Sequence, residues 1–294
     1  MSVLRCSMLS EKQIKFYHEQ GYLGVENVFS SAEIAELRRV TDEFVEKSRE
    51  VTKSGDVFDI EPSHTREEPR LRRLKEPVKQ HAVYRQALRH PAVLDIVAQL
   101  IGPAFSTNGD KLNMKLANVG SPVEWHQDWA FYPHTNDDLL AVGVAMDDST
   151  VENGCLLVIP GSHKGRIYDH NQDGHFVGAI AEPDFRPVGT VPIELKAGGI
   201  SLHHARLLHA SAPNRSARTR RLLLFQYVAA DAWPLLGAAK PWEYYVGAMI
   251  RGEPTNQPRL APVPVRLPRP EARAGGIYEI QETLKGGVFK TAGM

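Results

Sequence analysis

Residues 123–132 read VEWHQDWAFY, which sets Glu124, His126 and Asp128 among Trp125, Trp129, Phe131 and Tyr132. A solvated loop has no use for four large aromatic rings, and a packed strand does not normally carry two carboxylates and an imidazole. If this stretch is a strand, alternation puts Glu124, His126 and Asp128 on one face and Trp125, Gln127 and Trp129 on the other. A histidine and a carboxylate two residues apart can both reach one metal ion. The pair is common by chance, and a half-exposed strand turned to solvent would account for it equally well. A 2-His-1-carboxylate facial site needs a second histidine and leaves three coordination positions open. His134, His163, His170, His175, His203, His204 and His209 follow downstream. Three of these lie in ISLHHARLLHAS. His203 shares the parity of His209 and His204 does not, so spacing leaves His203 and His209 both open. His163, in PGSHKG, reads as a turn residue.

Arg218, Arg220 and Arg221 then open the apolar run RRLLLFQYVAAD. An arginine entering a barrel interior requires an anion, and a cosubstrate carboxylate would serve. The alternative is that all three punctuate a strand at the surface.

The elements that must position these residues fall into two halves. Before residue 104 the pattern is helical. Ser10 can cap a helix ending at Gly21, and Ser30 with Glu33 forms a capping-box pattern ahead of Ile34, Leu37, Val40, Phe44 and Val45. Helical periodicity returns in VKQHAVYRQALRH, and again from Pro91 to Gly102. The polar stretch GDVFDIEPSHTREEPRLRRLKEP between them reads as a surface loop or a lid. From residue 104, short β-like runs alternate with Gly, Pro and Asn turns, the pattern of an antiparallel sandwich or barrel. The Pro-rich tail, with PRLAPVPVRLPRP, reads as an extended wrap. One domain is expected over 1–294, with a helical part to about 103, a core over 104–231 and a wrap over 232–294.

Composition narrows the function classes. Lys+Arg and Asp+Glu are 35 each, which gives no support for a nucleic-acid partner. Only Cys6 and Cys155 are present, which excludes a disulfide framework and argues against a thiolate zinc site. The N-terminus lacks the apolar core of a signal peptide, and no apolar run approaches the roughly 18 residues of a membrane span. The reading is a cytoplasmic protein acting on a small molecule. Oligomeric state has no signature in the sequence.

The ordered set WHQDWAFYPHTNDD, MDDSTVENGCLLVIPGSHKG, HHARLLHASAPNRS and RTRR resembles the phytanoyl-CoA dioxygenase family of iron(II)- and 2-oxoglutarate-dependent oxygenases. The opening LSEKQIKFYHEQGYLGVENVFSSAEI is similar to the family's start. The resemblance implies a mainly β fold with flanking helices and a double-stranded β-helix (jelly-roll, cupin-like) core. It implies His126, Asp128 and His209 as iron ligands, His209 being the histidine followed by a small residue and Ser. His204 matches a position that is often histidine without being a ligand. Arg220 matches the anchor of the distal 2-oxoglutarate carboxylate, with Ser211 assisting and Asn113 and Lys115 as further cosubstrate contacts. Glu124 matches no ligand and reads as a solvated or supporting carboxylate. The implied reaction uses O2 and 2-oxoglutarate to hydroxylate a C–H bond, releasing succinate and carbon dioxide. Related halogenases replace the carboxylate ligand with a small residue, so Asp128 implies oxidation without halogenation.

Trp129, Phe131, Tyr132 and His134 could line the substrate pocket. REEPRLRRLKEP, HKGRIYDHNQDGHF and AWPLLGAAKPWEYY are candidate lids. Arg70, Arg72 and Arg73 could meet an acidic substrate, although a solvated face is the simpler reading. Two other classes compete with the oxygenase: a cupin-like metal or ligand sensor without catalysis, and a metal-dependent hydrolase or isomerase on a jelly-roll.

Overall fold

The computed structural model describes residues 8–273 and 275–291. Cys6 and the first seven residues of the segment inspected for a signal peptide lie outside the described residues. The N-terminal half opens as its caps dictate. Helix α1 (Glu11–Gln20) starts at a Ser10–Gln13 capping box and stops at Gly21, whose φ of 80° terminates the helix without a Cβ clash. Strand β1 (Tyr22–Val25) follows, then α2 (Ser31–Lys47) behind the Ser30–Glu33 capping box. The helical run near residue 80 divides at His81, whose extended backbone separates α3 (Pro77–Gln80) from α4 (Ala82–Leu88); α5 (Pro91–Ile101) completes the set.

The segment expected to be a loop or lid is instead a pair of strands, β2 (Phe58–Ile60) and β3 (Leu71–Lys75). They are short, and arginines interrupt their apolar pattern. Leu71 and Leu74 nevertheless sit at 0% exposure, and β3 extends the sheet by pairing with β4 (Phe105–Lys115). Strands β5 (Val123–His126), β6 (Leu139–Ala145) and β7 (Leu156–Val158) follow. A small hairpin comes next, β8 (Asn171–Gln172) with β9 (His175–Phe176). Then come β10 (Val191–Ile193), β11 (Ile200–His204), β12 (His209–Ser211) and β13 (Arg220–Ala229). Helix α6 (Trp242–Ala248), strand β14 (Met249–Arg251) and helices α7 (Ile277–Glu282) and α8 (Val288–Thr291) close the chain.

Apart from the β8–β9 hairpin, the described strands form two antiparallel sheets. The major sheet runs β1-β11-β6-β13-β4-β3-β2, with β14 also on β4; the minor sheet runs β10-β7-β12-β5. This is the jelly-roll expected from the sequence. Alternation along the major strands gives them two distinct faces. Leu112, Met114, Val142, Val144, Leu223 and Phe225 face outward, into one core with Ile34, Leu37, Val40, Ile96 and Val97 of the helices. Residues of opposite parity, among them Lys111, Asn113, Ala141, His203, Leu222 and Leu224, line a cavity closed on its other side by the minor sheet. Among the described residues, no helix is long and apolar enough to cross a membrane.

A buried strand and a mobile lid respond differently to truncation. Leu74→Ala should lower unfolding stability by about 2–5 kcal/mol in a denaturant titration. A loss under about 0.5 kcal/mol, the range of surface substitutions, would return this segment to the surface.

Candidate metal centre

Three ligand atoms of His126, Asp128 and His209 lie within 4.8 Å of one another, all from buried residues. His126 ends β5 and His209 opens β12, and the two are register partners in the minor sheet. Asp128 begins a 3-10 turn after β5, so a turn delivers it and not strand alternation. The facing rule fails for a second reason. Three steps from Val123 to His126 oppose two from His209 to Ser211, a bulge in β5. The extra residue puts Val123 and His126 together on the cavity wall. It turns Glu124 away from the metal group, into the packing of α8. There its carboxylate accepts from the amides of Phe289 at 3.0 Å and Lys290 at 3.1 Å. Glu124 is thus buried, not solvated, and burial raises its pKa.

The imidazoles are oriented for coordination. His126 Nδ1 lies 2.7 Å from the carbonyl of Glu124, and His209 Nδ1 2.9 Å from that of Leu207. A carbonyl only accepts, so each Nδ1 carries the proton and each Nε2 lone pair is free. The Nε2 atoms stand 3.7 and 3.9 Å from Asp128 Oδ1. Burial pushes the His126 pKa down to about 4 and that of His209 well below its ordinary value. Burial would raise Asp128, but Lys111, then His203 and His209, hold it well below the carboxylate range. Two neutral imidazoles and an ionised carboxylate on one side of a cavity fit a divalent iron ion.

The anion end of the same cavity is built from β4, β12 and β13. Arg220 is 2% exposed. Its Nη2 donates to the Gly154 carbonyl at 2.8 Å, while its Nε and Nη1 are sealed from solvent without a partner. Gly154 must be glycine: at φ 78° an added Cβ would stand 2.4 Å from the Ala212 carbonyl oxygen. Asn153 folds this turn by accepting from Thr150 N and donating to Asp148 O. Ser211 and Asn113 line the cavity, and Asn113 Oδ1 is also without a partner. Two orphaned guanidinium N–H groups are what a planar carboxylate, such as the distal one of 2-oxoglutarate, would satisfy. Arg218 is exposed, and Arg221 turns to the opposite face, pairing with Asp147 at 2.9 Å and Asp42 at 2.6 Å.

Other expected contacts fall elsewhere. Lys115 points under the cavity, where its ammonium donates to the carbonyls of Ser211 and Ala212, and the structure does not bring it to the anion end. Trp129 packs with Leu139, Ala205 and Val228 and donates to the Pro264 carbonyl at 2.7 Å, a core residue under the wrap. His134 is bridged to Pro234 and bonded to the Tyr132 carbonyl, outside the cavity. Phe131 and Tyr132 do line an adjoining cavity, and Phe131 meets the His126 ring edge-on at 6.0 Å. His163 sits in a 3-10 turn against His204, as a turn residue should. The candidate lid containing His170 is anchored by Gln127, whose backbone N–H donates to His170 Nε2 at 3.0 Å and whose side chain bonds Tyr168, Arg166 and Arg206.

Three further groups stand at the site, and of these only Lys111 escaped sequence reasoning. His203 and His209 do not share a strand: the chain crosses between sheets at residues 205–208. His203 therefore approaches from the major sheet, with Nε2 3.5 Å from Asp128 Oδ2. Lys111 has the parity of Asn113 and Lys115, and this was its available signal; it lines the cavity, where burial lowers its pKa. Arg73, read either as meeting an acidic substrate or, more simply, as part of a solvated face, lies opposite Asn113 in the sheet with buried Nε and Nη1. Arg72 is likewise buried, against Asp59 at 2.9 Å, and Arg70 pairs with Glu68 nearer the surface.

The phytanoyl-CoA dioxygenase family model matches residues 17–222. A probable alpha-ketoglutarate-dependent hypophosphite dioxygenase of Stutzerimonas stutzeri is 34% identical over 94% of this chain and 98% of its own length. The ectoine dioxygenase of Sphingopyxis alaskensis is 24% identical, covering 84% of each chain. Among solved structures, EctD from S. alaskensis with bound Fe superposes with a TM-score of 0.67 at 23% identity, covering 90% of this chain and 91% of that one. The carbocyclase SnoK of nogalamycin biosynthesis gives 0.64 at 24% identity, over 85% of this chain and 95% of that one. With its jelly-roll, its cluster of two imidazoles and a carboxylate, and the matched extent, the chain belongs to the phytanoyl-CoA dioxygenase family of iron(II)- and 2-oxoglutarate-dependent dioxygenases.

Proposed function

We propose that His126, Asp128 and His209 hold the iron, and that Arg220, Ser211 and Asn113 hold the distal carboxylate of 2-oxoglutarate. The reaction is hydroxylation of a small-molecule substrate, a C–H bond being the default target. The observation that carries this is the pairing, in one buried cavity, of a three-ligand cluster with an arginine whose Nε and Nη1 have no partner. A bound iron with 2-oxoglutarate and O2 supplies the oxidising power, the cosubstrate leaving as succinate and carbon dioxide. The relative named as a probable hypophosphite dioxygenase supports a small substrate, and extends the target to a P–H bond. The proposal treats residues 1–294 as one catalytic unit working in the cytoplasm.

The chain's own residues have separable tasks. The carbonyls of Glu124 and Leu207 fix the two imidazole tautomers, so neither ring must turn or lose a proton to bind metal. Arg220 anchors the cosubstrate as a fork, which a point charge would not replace. Phe131 and Ile277 wall the cavity against water. Asp128 fills the third ligand position, so chloride should give no halogenated product.

Anaerobic addition of iron(II) and then 2-oxoglutarate should raise the visible charge-transfer band of the chelate, and His209→Ala should abolish it. Arg220→Ala should raise the 2-oxoglutarate requirement about tenfold or more. A hydrolase or isomerase on this frame would give no band and no dependence on Arg220.

A pH dependence follows from the buried imidazoles. Burial pushes His126, His134 and His170 from 6.5 down to about 4. Between those values the unfolded chain binds protons that the folded chain does not. The stability carried by the neutral rings is therefore full above pH 6.5 and is lost as pH falls through 4. The melting temperature of metal-free protein should decline across this window. His134→Asn, which keeps the donor to the Tyr132 carbonyl and removes the titration, should make that decline shallower.

A further inference from the structure

We propose that the substrate is a small oxyanion and that Lys111 and Arg73 form its seat. This rests on the dioxygenase reading and names the substrate class of the same site. Beside the cavity that holds Arg220 lies a second one, of about 230 Å³, and Lys111 and Asp128 line both. Arg73, Phe131, Tyr132 and Gln226 are also on its wall. Lys111 on β4 is register partner of Leu224, and Arg73 on β3 is register partner of Asn113. The two cations therefore project from neighbouring strands of one sheet, beside a metal ligand.

Neither cation is neutralised by a close partner. Among the described residues no ion pair within 4.0 Å includes Lys111 or Arg73, and Arg73 Nε and Nη1 are buried without a hydrogen bond. Of the carboxylates facing Arg73, Asp59, its cross-strand partner, bonds Arg72 at 2.9 Å through Oδ1 and keeps a buried Oδ2 without a hydrogen bond, and Glu279 caps the Gly276 amide at 2.8 Å. Asp110, on the cavity wall, accepts from Val78 N at 2.8 Å.

A charge count gives the sign of the ligand. A divalent metal, ionised Asp128 and dianionic 2-oxoglutarate together carry one negative charge, which Arg220 balances. Lys111 and Arg73 then exceed Asp110, the other acidic side chain on that wall, by one positive charge in a desolvated pocket, where unpaired charge is costly. An anion with two oxygens on one centre can accept from both. The reacting atom of such an anion then lies on the Asp128 side of the metal cluster, away from Arg220. A neutral substrate would leave that charge unanswered.

The test uses the full chain under anaerobic conditions, with iron(II) and 2-oxoglutarate, and reads the charge-transfer band. The probes are hypophosphite, acetate and acetamide, the last an uncharged match for acetate. Hypophosphite or acetate should perturb the band saturably and acetamide should not. Preference for one anion separates a phosphorus oxyanion from a carboxylate. Lys111→Met and Arg73→Leu should each weaken anion binding about tenfold or more, and Arg73→Leu should change the 2-oxoglutarate requirement less than about twofold. Lys111→Arg should restore anion binding. The inference is overturned if acetate and acetamide act alike, if neither anion acts, or if the substitutions weaken 2-oxoglutarate and leave anion binding intact. The last pattern would make Lys111 a cosubstrate contact and Arg73 a partner of Asp59. Absence of any band in the parent protein would instead sink the dioxygenase assignment of the site. The anion series on the parent protein stands even if a variant fails to fold.

Discussion

A carboxylate sealed from water has to be answered by positive charge or donors from more than one direction, and the architecture around Asp128 meets that demand. Asp128 is 3% exposed. Lys111 faces the same cavity from β4 and His203 approaches Asp128 from β11, both in the major sheet, while His126 and His209 meet it from the minor sheet. No single sheet could surround the group in this way. The two-sheet sandwich is therefore what allows an ionised ligand to exist here before any metal arrives. The helices serve the same end indirectly. They take the apolar parity of β4, β6 and β13 into one core, which frees the opposite parity of those strands to be polar.

That division also explains how a polar cavity remains rigid. Lys111 and Arg220 on its wall stand on strands whose nearby residues, such as Leu112, Met114 and Leu223, are fully or almost fully buried. Moving Lys111 or Arg220 would require breaking that packing, so the site is preorganised by the core behind it.

The caps, the alternation of β4 and β13, and the ordered motifs were readable in the sequence because each depends on neighbours in the chain. What was not readable depends on register between distant segments. Strand parity put Glu124 beside His126, but a bulge set by β12 separates them. Parity left His203 and His209 equivalent because the crossover between sheets at residues 205–208 has no marker in ISLHHARLLHAS. LRRLK looked like a solvated basic patch, since only pairing with β4 shows that Leu71, Arg72 and Leu74 are enclosed. Lys115 had the right parity but the wrong depth: it sits next to the turn at Ala212, whose carbonyl captures its ammonium.

The Glu124 side chain and backbone face different tasks through the same residue. The carbonyl fixes the His126 ring, and the carboxylate receives the first turn of α8. Lys290 of that helix further ties the carbonyls of Gln281, Glu282 and Leu284 together. Docking of α8 and orientation of a metal-facing imidazole are thus two halves of one linkage. By thermodynamic reciprocity, whatever factor metal loading adds to the docking of α8, docking of α8 adds to metal affinity. A ligand or partner that peeled this short helix from β5 would act as an antagonist of the metal without ever entering the cavity.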